Sequence, residues 1–249
     1  MRTPQLNAKP TLWMAGDSIM QSYAPGDKPV TGWGEMLHTL AHGDAVCQTA
    51  HRADCPFPQE MRYELPGLVI DNCAMAGRSS KTFREEGRLD DIAAHIRPGD
   101  LLVVSFGHND ANHSKAERYV PADAFGESLR PFWDAARNHG AVCIFASPVA
   151  MREFDEAGVC YPSFAAYREA MRAFAAEVGA PFIDLGAATA AANTAFGAER
   201  CKARYMWVGA KQDNAHQQNA GACRTAQAFV QQFLQDTTPA LDVLRANFK

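Results

Sequence analysis

Four places along the chain carry residues suited to acyl-transfer chemistry. The first is Ser18 in "GDSIMQSY", directly after the apolar run "TLWMA". A serine at the joint between a strand and a helix-like segment lies where free backbone N–H groups point outward, so it can cap the helix or act as a nucleophile. The second is Gly77 in "NCAMAGRSS", where the backbone must turn or come close to a ligand. The third is Asn109 in "FGHND", whose side-chain amide can supplement backbone donors around a developing oxyanion. The last is "KQDNAHQQNAGA", with Asp213 and His216 three apart. At that spacing a short turn sets the carboxylate under one imidazole nitrogen and frees the other to take a proton from a serine.

Each of these has a bland reading: a cap, a turn, a polar loop, an N-cap before the last helix. Together they supply a nucleophile, a backbone donor, an amide donor and an oriented base. For them to act together, the fold must bring distant segments to one place.

Five short apolar runs provide the framework: residues 11–16, 67–73, 100–107, 141–147 and 181–186. Near-continuous apolarity marks strands covered on both faces, hence a parallel sheet. Between and after them lie helical stripes. One carries Phe125, Leu129, Phe132, Trp133 and Ala136, a second Phe164, Tyr167, Met171 and Phe174, and a third Ala222, Ala226, Phe229, Val230 and Phe233. The alternation predicts a doubly wound α/β sheet with helices on both faces and right-handed crossovers. Such a sheet keeps its ligands at the carboxyl ends of its strands, which is where Ser18, Gly77 and Asn109 fall. The stretch 44–66 has no clear periodicity and reads as an irregular excursion. One domain over 1–249 is the expectation.

The 249 residues are 47% hydrophobic and 21% charged with a net charge of −4, which offers no basic footprint for nucleic acid or an anionic membrane. No apolar stretch approaches the roughly 20 residues needed to span a bilayer. The N-terminal segment lacks an apolar core of the signal-peptide kind. Seven cysteines, none in a CxxC pair, fit free thiols in a reducing cytoplasm, with a Cys47–Cys55 bridge as the alternative in an exported protein.

The blocks "GDS", "NCAMAGRSS", "FGHND" and "DNAH", in this order and spacing, resemble those of the SGNH, or GDSL-type, hydrolases. The forms "AGRSS", "FGHND" and "TGWGEML" look most like the rhamnogalacturonan acetylesterase branch, which removes acetyl groups from plant-wall saccharides. The resemblance implies a flavodoxin-like three-layer sandwich with a five-stranded parallel sheet, and a serine-esterase mechanism with no metal or other cofactor. It implies Ser18, Asp213 and His216 as the catalytic set, and Ser18, Gly77 and Asn109 as the oxyanion hole. Asp17, Arg78 and His108 are the candidate substrate contacts. The expected partner is a small-molecule or oligosaccharide acetyl ester, with no nucleic acid and no membrane; imported oligosaccharides rather than polymers suit a cytoplasmic chain.

Three rivals stand beside this reading. A lipase or thioesterase of the same fold needs an apolar acyl groove. A saccharide-binding module would keep the blocks without turnover. A metal phosphoesterase could use His108, Asp110 and His113 of "HNDANH", but no second cluster with ligand spacing follows another strand.

Overall fold

The computed structural model describes residues 9–48 and 54–249. Its centre is a seven-stranded sheet with strands β1 (Thr11–Gly16), β2 (Val46–Gln48), β3 (Met61–Glu64), β4 (Val69–Asn72), β5 (Leu101–Ser105), β6 (Val142–Ala146) and β7 (Phe182–Ile183). Their order in the sheet is β2-β3-β4-β1-β5-β6-β7. The five strands from β4 to β7 run parallel, as the apolar runs predict. The remaining two correct the expectation for 44–66: β3 pairs antiparallel with β4, and β2 antiparallel with β3, so this excursion extends the sheet at one edge. Its strands escaped the sequence reading because only Tyr63 of the four β3 residues is fully buried, leaving no apolar run to find. The Cys47 side chain, and with it the Cys47–Cys55 bridge, lies outside the described residues.

Side-chain alternation along β1 divides the molecule into layers. Leu12 and Met14 face a core shared with Trp33, Phe229 and Phe233, while Trp13 and Ala15 face a core with Phe83, Phe132 and Phe174. The first core is covered by α1 (Trp33–Met36), α7 (Asn219–Gln235) and α8 (Asp242–Asn247). The second is covered by α2 (Ser80–Glu85), α3 (Arg88–His95), α4 (Ala122–Asn138) and α5 (Ala165–Val178). The stripes of α4 and α7 are buried as their spacing predicts, apart from Trp133, which is half-buried with the Arg137 guanidinium over its ring.

Phe164 departs from the expected helical stripe. It precedes α5 as its N-cap with φ 59°, the left-handed region, and is the one non-glycine residue with positive φ among the described residues. An aromatic side chain there costs roughly 1–3 kcal/mol of backbone strain, which the surrounding packing has to hold.

From β1 the chain passes to the edge strand β2, returns inward through β3 to β4 beside β1, and then crosses to β5, β6 and β7 on the other side. The direction therefore reverses between β1 and β5, and a crevice opens beyond their carboxyl ends. A separate two-stranded hairpin, β8 (Tyr205–Val208) with β9 (Lys211–Gln217), follows α6 (Leu185–Phe196). No helix among the described residues is long and apolar enough to cross a membrane.

Candidate active site

Three strand ends build one wall of the crevice. After β1 the chain turns at Asp17, whose carbonyl accepts the N–H groups of Met20 and Gln21 at 3.1 Å each. This places Ser18 at the mouth, 8% exposed, with its own carbonyl held by the Tyr23 hydroxyl at 2.9 Å. After β4 comes Gly77 with φ +80°, a conformation that favours glycine, and Ser79 then caps α2 by accepting the Thr82 N–H at 3.2 Å. After β5 comes Gly107 with φ +138°; a Cβ there would lie 2.4 Å from the Pro148 ring, so glycine is required to bring "HND" over the sheet.

Asp110 joins the second and third segments. One of its carboxylate oxygens accepts the N–H and hydroxyl of Ser80 at 2.9 and 2.6 Å, and the other accepts the Gly107 N–H at 3.0 Å. Burial pushes its carboxyl up to about 6 against these hydrogen bonds. With Asp110 so held, the Asn109 amide donates to the Arg78 carbonyl at 2.9 Å. An amide nitrogen carries two hydrogens, so one remains to be aimed at a substrate oxygen.

The opposite wall is the hairpin. Its register jumps from Tyr205↔Gln217 to Met206↔Asp213, so residues 214–216 bulge out of the ladder. Inside the bulge one Asp213 oxygen accepts the N–H groups of Ala215 and His216 at 2.9 and 3.0 Å, and the other lies 2.8 Å from His216 Nδ1. His216 Nε2 lies 2.9 Å from Ser18 Oγ, across 198 residues of chain. Burial raises the Asp213 carboxyl, but these N–H donors and the imidazole together hold it below the ordinary carboxylate range. It therefore stays ionised and keeps the Nδ1–H tautomer, leaving Nε2 as the acceptor for the serine proton. Serine, histidine and aspartate thus form a continuous hydrogen-bonded line.

The bulge is pinned from outside by residues absent from the sequence reading. The Arg152 N–H donates to the Asn214 carbonyl at 2.7 Å, and Trp207 Nε1 donates to the Asn214 side-chain oxygen at 2.8 Å. The Arg152 guanidinium lies over the Trp207 ring at 4.7 Å. Nothing in "DNAH" distinguishes Asn214 as a clamp; its partners come from β8 and the loop after β6.

A cavity of about 530 Å³ lies over the line, with Ser18, Gly77, His108, Asn109 and His216 in its walls. Two of the expected substrate contacts are corrected here. Asp17 is 2% exposed and its carboxylate turns inward, with one oxygen accepting the Ile19 N–H at 2.9 Å, so it does not line the cavity. Burial, with the Asp110 carboxylate nearby, raises it to about 7 even though the Ile19 N–H opposes the shift. Arg78 also lies outside the cavity walls, engaged with Glu86 at 2.8 Å and the Ala76 carbonyl at 2.8 Å. His108 does line the cavity, with Nε2 3.0 Å from the Val149 carbonyl and its ring 4.6 Å from Phe164. Burial lowers it to about 4, so it is neutral near pH 7 and donates to that carbonyl. Arg118 and Phe164 also line the cavity; neither stood out as a site residue in the sequence.

The donors of His108, Asp110 and His113 do not converge. Among the described residues, the one group of three or more potential ligands within 4.8 Å of one another is Cys55, Glu60 and Asp91.

Residues 14–222 match the GDSL-like Lipase/Acylhydrolase family. The chain is 33% identical to rhamnogalacturonan acetylesterase RhgT of Bacillus subtilis over 224 residues, covering 86% of this chain and 85% of that one. Among solved structures it is similar to the YxiM protein of Bacillus subtilis, with a TM-score of 0.77 and 25% identity over 96% of this chain, which spans 60% of that chain. An acetylxylan esterase from Geobacillus stearothermophilus shares the fold at a TM-score of 0.59 and 18% identity, over 91% of this chain and 95% of that one. With the family match spanning most of its length, the chain belongs to the GDSL-like lipase/acylhydrolase family and is a carboxylic ester hydrolase.

Proposed function

We propose that this hydrolase is a serine esterase that removes O-acetyl groups from acetylated oligosaccharides of plant-wall origin, such as rhamnogalacturonan or xylan fragments. The observation that carries the mechanism is the line Ser18 Oγ–His216 Nε2 at 2.9 Å and His216 Nδ1–Asp213 Oδ2 at 2.8 Å. The similarity to a rhamnogalacturonan acetylesterase over most of both chains supports the saccharide substrate.

Ser18 Oγ attacks the acetyl carbonyl carbon as its proton passes to His216 Nε2. Asp213 orients the ring and stabilises the imidazolium. The N–H groups of Ser18 and Gly77 and the second Asn109 amide hydrogen receive the oxyanion. As the tetrahedral intermediate collapses, the bond to the sugar oxygen breaks and His216 returns its proton to that oxygen. Water, deprotonated by His216, then attacks the acetyl-serine and releases acetate, restoring Ser18. Neutral His108 keeps a second positive charge away from the imidazolium.

The test is acetate release from acetylated oligosaccharides, with butyrate and octanoate esters alongside, for wild type and Ser18→Ala. Acetate release from the saccharides that disappears in Ser18→Ala is the expected result. Preference for octanoate would move the protein to the lipase or thioesterase side. A folded wild type that turns over no ester would leave a saccharide-binding module.

A further inference from the structure

The residues after Ser18 make a single turn and no helix, so the carbonyls of Ser18, Ile19 and Met20 lack the N–H partners that a helix would bring. All three are met from elsewhere. Trp33 N–H donates to the Ile19 carbonyl at 2.9 Å, and Gly34 N–H to the Met20 carbonyl at 3.2 Å. The Ser18 carbonyl accepts the Tyr23 hydroxyl at 2.9 Å. The motif "TGWGEML", which supplies no group to the cavity walls, thus lies along the nucleophile turn. Its glycines permit the close approach. A Cβ on Gly32 would lie 2.2 Å from the Gln21 carbonyl oxygen, and one on Gly34 2.5 Å from that of Met20.

The same segment reaches the base wall. Thr31 N–H donates at 2.9 Å to the carbonyl of Gln217, the residue after His216, and Val30 pairs with Gln218. Glu35 closes the frame on Tyr23: one carboxylate oxygen accepts the Tyr23 N–H at 3.1 Å, and the other pairs with Lys28. Tyr23 therefore holds the nucleophile from a support that is itself tied to the base strand.

Both ends of the Ser18–Ile19 peptide are occupied, the carbonyl by the Tyr23 hydroxyl and the N–H by an Asp17 carboxylate oxygen at 2.9 Å. Fixing this peptide plane sets ψ at Ser18, and so the direction in which its Oγ and N–H leave the turn. The phenol keeps its proton for this task. Burial, with the carboxylates of Asp17, Asp27 and Asp213 nearby, raises it further above its ordinary range, although the hydrogen bond to Ser18 opposes the shift. Tyr23 lies outside the cavity walls.

We propose that Tyr23 is a positioning residue for ester hydrolysis, its hydroxyl holding the Ser18 peptide so that Oγ meets His216 Nε2 and the Ser18 N–H meets the oxyanion. This rests on Ser18 as the nucleophile, as read above. Tyr23 touches no reacting atom and acts through Ser18.

The experiment uses Tyr23→Phe, which removes the hydroxyl and keeps the ring. The readouts are kcat and KM on an aryl acetate, the Kd of an arylboronic acid that forms a tetrahedral adduct with a serine Oγ, and the pH dependence of kcat/KM. Tyr23→Phe should lower kcat about ten- to a hundredfold with KM little changed, and weaken the boronate by a similar factor. The pH at which kcat/KM rises should not move, because His216 keeps its Asp213 partner. Wild-type kcat and boronate affinity in Tyr23→Phe overturn the proposal, whatever its melting temperature. A loss confined to KM would make Tyr23 a substrate contact, and a displaced pH profile would make it part of the surroundings of the base; either overturns the proposal too. If Tyr23→Phe does not fold, the pair Glu35→Ala and Glu35→Gln carries the test. Glu35→Gln keeps an acceptor for the Tyr23 N–H and should retain most of the kcat that Glu35→Ala loses, whereas equal losses would put the ion pair with Lys28 in control and overturn the proposal. A Ser18→Ala variant with wild-type turnover would remove the nucleophile assignment itself, a result separate from the Tyr23 comparison.

Discussion

The two walls of the active site are built on different physical terms. The nucleophile wall grows from the ends of three neighbouring strands, β1, β4 and β5, whose residues pack in the two main cores. Asp110, fully buried, ties two of its loops together through Ser80 and Gly107. The base wall is a two-stranded hairpin outside the main sheet, with Lys211 and Gln212 exposed and Asp213 to His216 only half-buried. Its catalytic geometry comes from a bulge that folds onto its own carboxylate and from one external clamp at Asn214. Position is set by the core on one wall and by a few polar contacts on the other. Substitutions on the two walls should therefore fail in different ways.

The largest effect falls where the walls meet. Ser18→Ala or His216→Ala should lower kcat by about ten-thousandfold or more, with the melting temperature nearly unchanged, because each removes a reacting group and little packing. Next is Asn109→Ala on the nucleophile wall. It should cost about a hundred- to a thousandfold in kcat with little change in KM, as expected for a donor that acts on the oxyanion. Single-turnover acetyl transfer measured against equilibrium unfolding separates this from a folding defect.

On the base wall, Asn214→Ala removes the acceptor for Trp207 and loosens the bulge without touching the reacting groups. A displaced imidazole should cost about ten- to a hundredfold in kcat. Hydrogen exchange should quicken in β8 and β9 while β1 and β5 stay protected. Equal quickening in both regions would erase the distinction between the walls.

The smallest effect is on stability against pH. The folded chain holds the Asp17 carboxyl at about 7, above its ordinary value of 3.8. A group raised in this way adds stability in its protonated form; that contribution is full below the unfolded value and is lost as pH rises through about 7. His108 has the opposite sign: lowered to about 4, its contribution is full above 6.5 and is lost as pH falls toward 4. Both terms are present in wild type, so the Asp17 term is isolated by the difference Asp17→Asn minus wild type. That difference should move in favour of the variant between about pH 4 and 7 and level off above, measured by thermal unfolding at several pH values. A difference independent of pH would show that the folded chain does not raise the Asp17 carboxyl.

The contrast between the walls also explains what could be seen in the sequence. Long apolar runs with polar residues after them revealed the five parallel strands and placed Ser18, Gly77 and Asn109 at their ends. Asp213 and His216 were legible by their spacing and order, but the bulged hairpin that presents them was not, since "KQDNAHQ" has no alternating apolar pattern. Asp17 and Arg78 adjoin site residues in sequence, yet their side chains turn inward and away, because sequence neighbours need not share a direction. Phe164 fits a helical stripe by spacing, and its left-handed backbone is a tertiary constraint that no periodicity reports. Arg118 lies in a polar loop, and nothing in the sequence marks it as part of the cavity wall.

The central claim is that His216 on the hairpin activates Ser18 on the strand end. The most direct test is labelling with a serine-directed organophosphate followed by peptide mapping by mass spectrometry. Wild type should acquire one adduct, on Ser18, at a rate that follows deprotonation of a single group, and His216→Ala should label at least a hundredfold more slowly. Equal labelling rates in the two proteins, or a well-folded wild type that does not label at Ser18, would contradict the account.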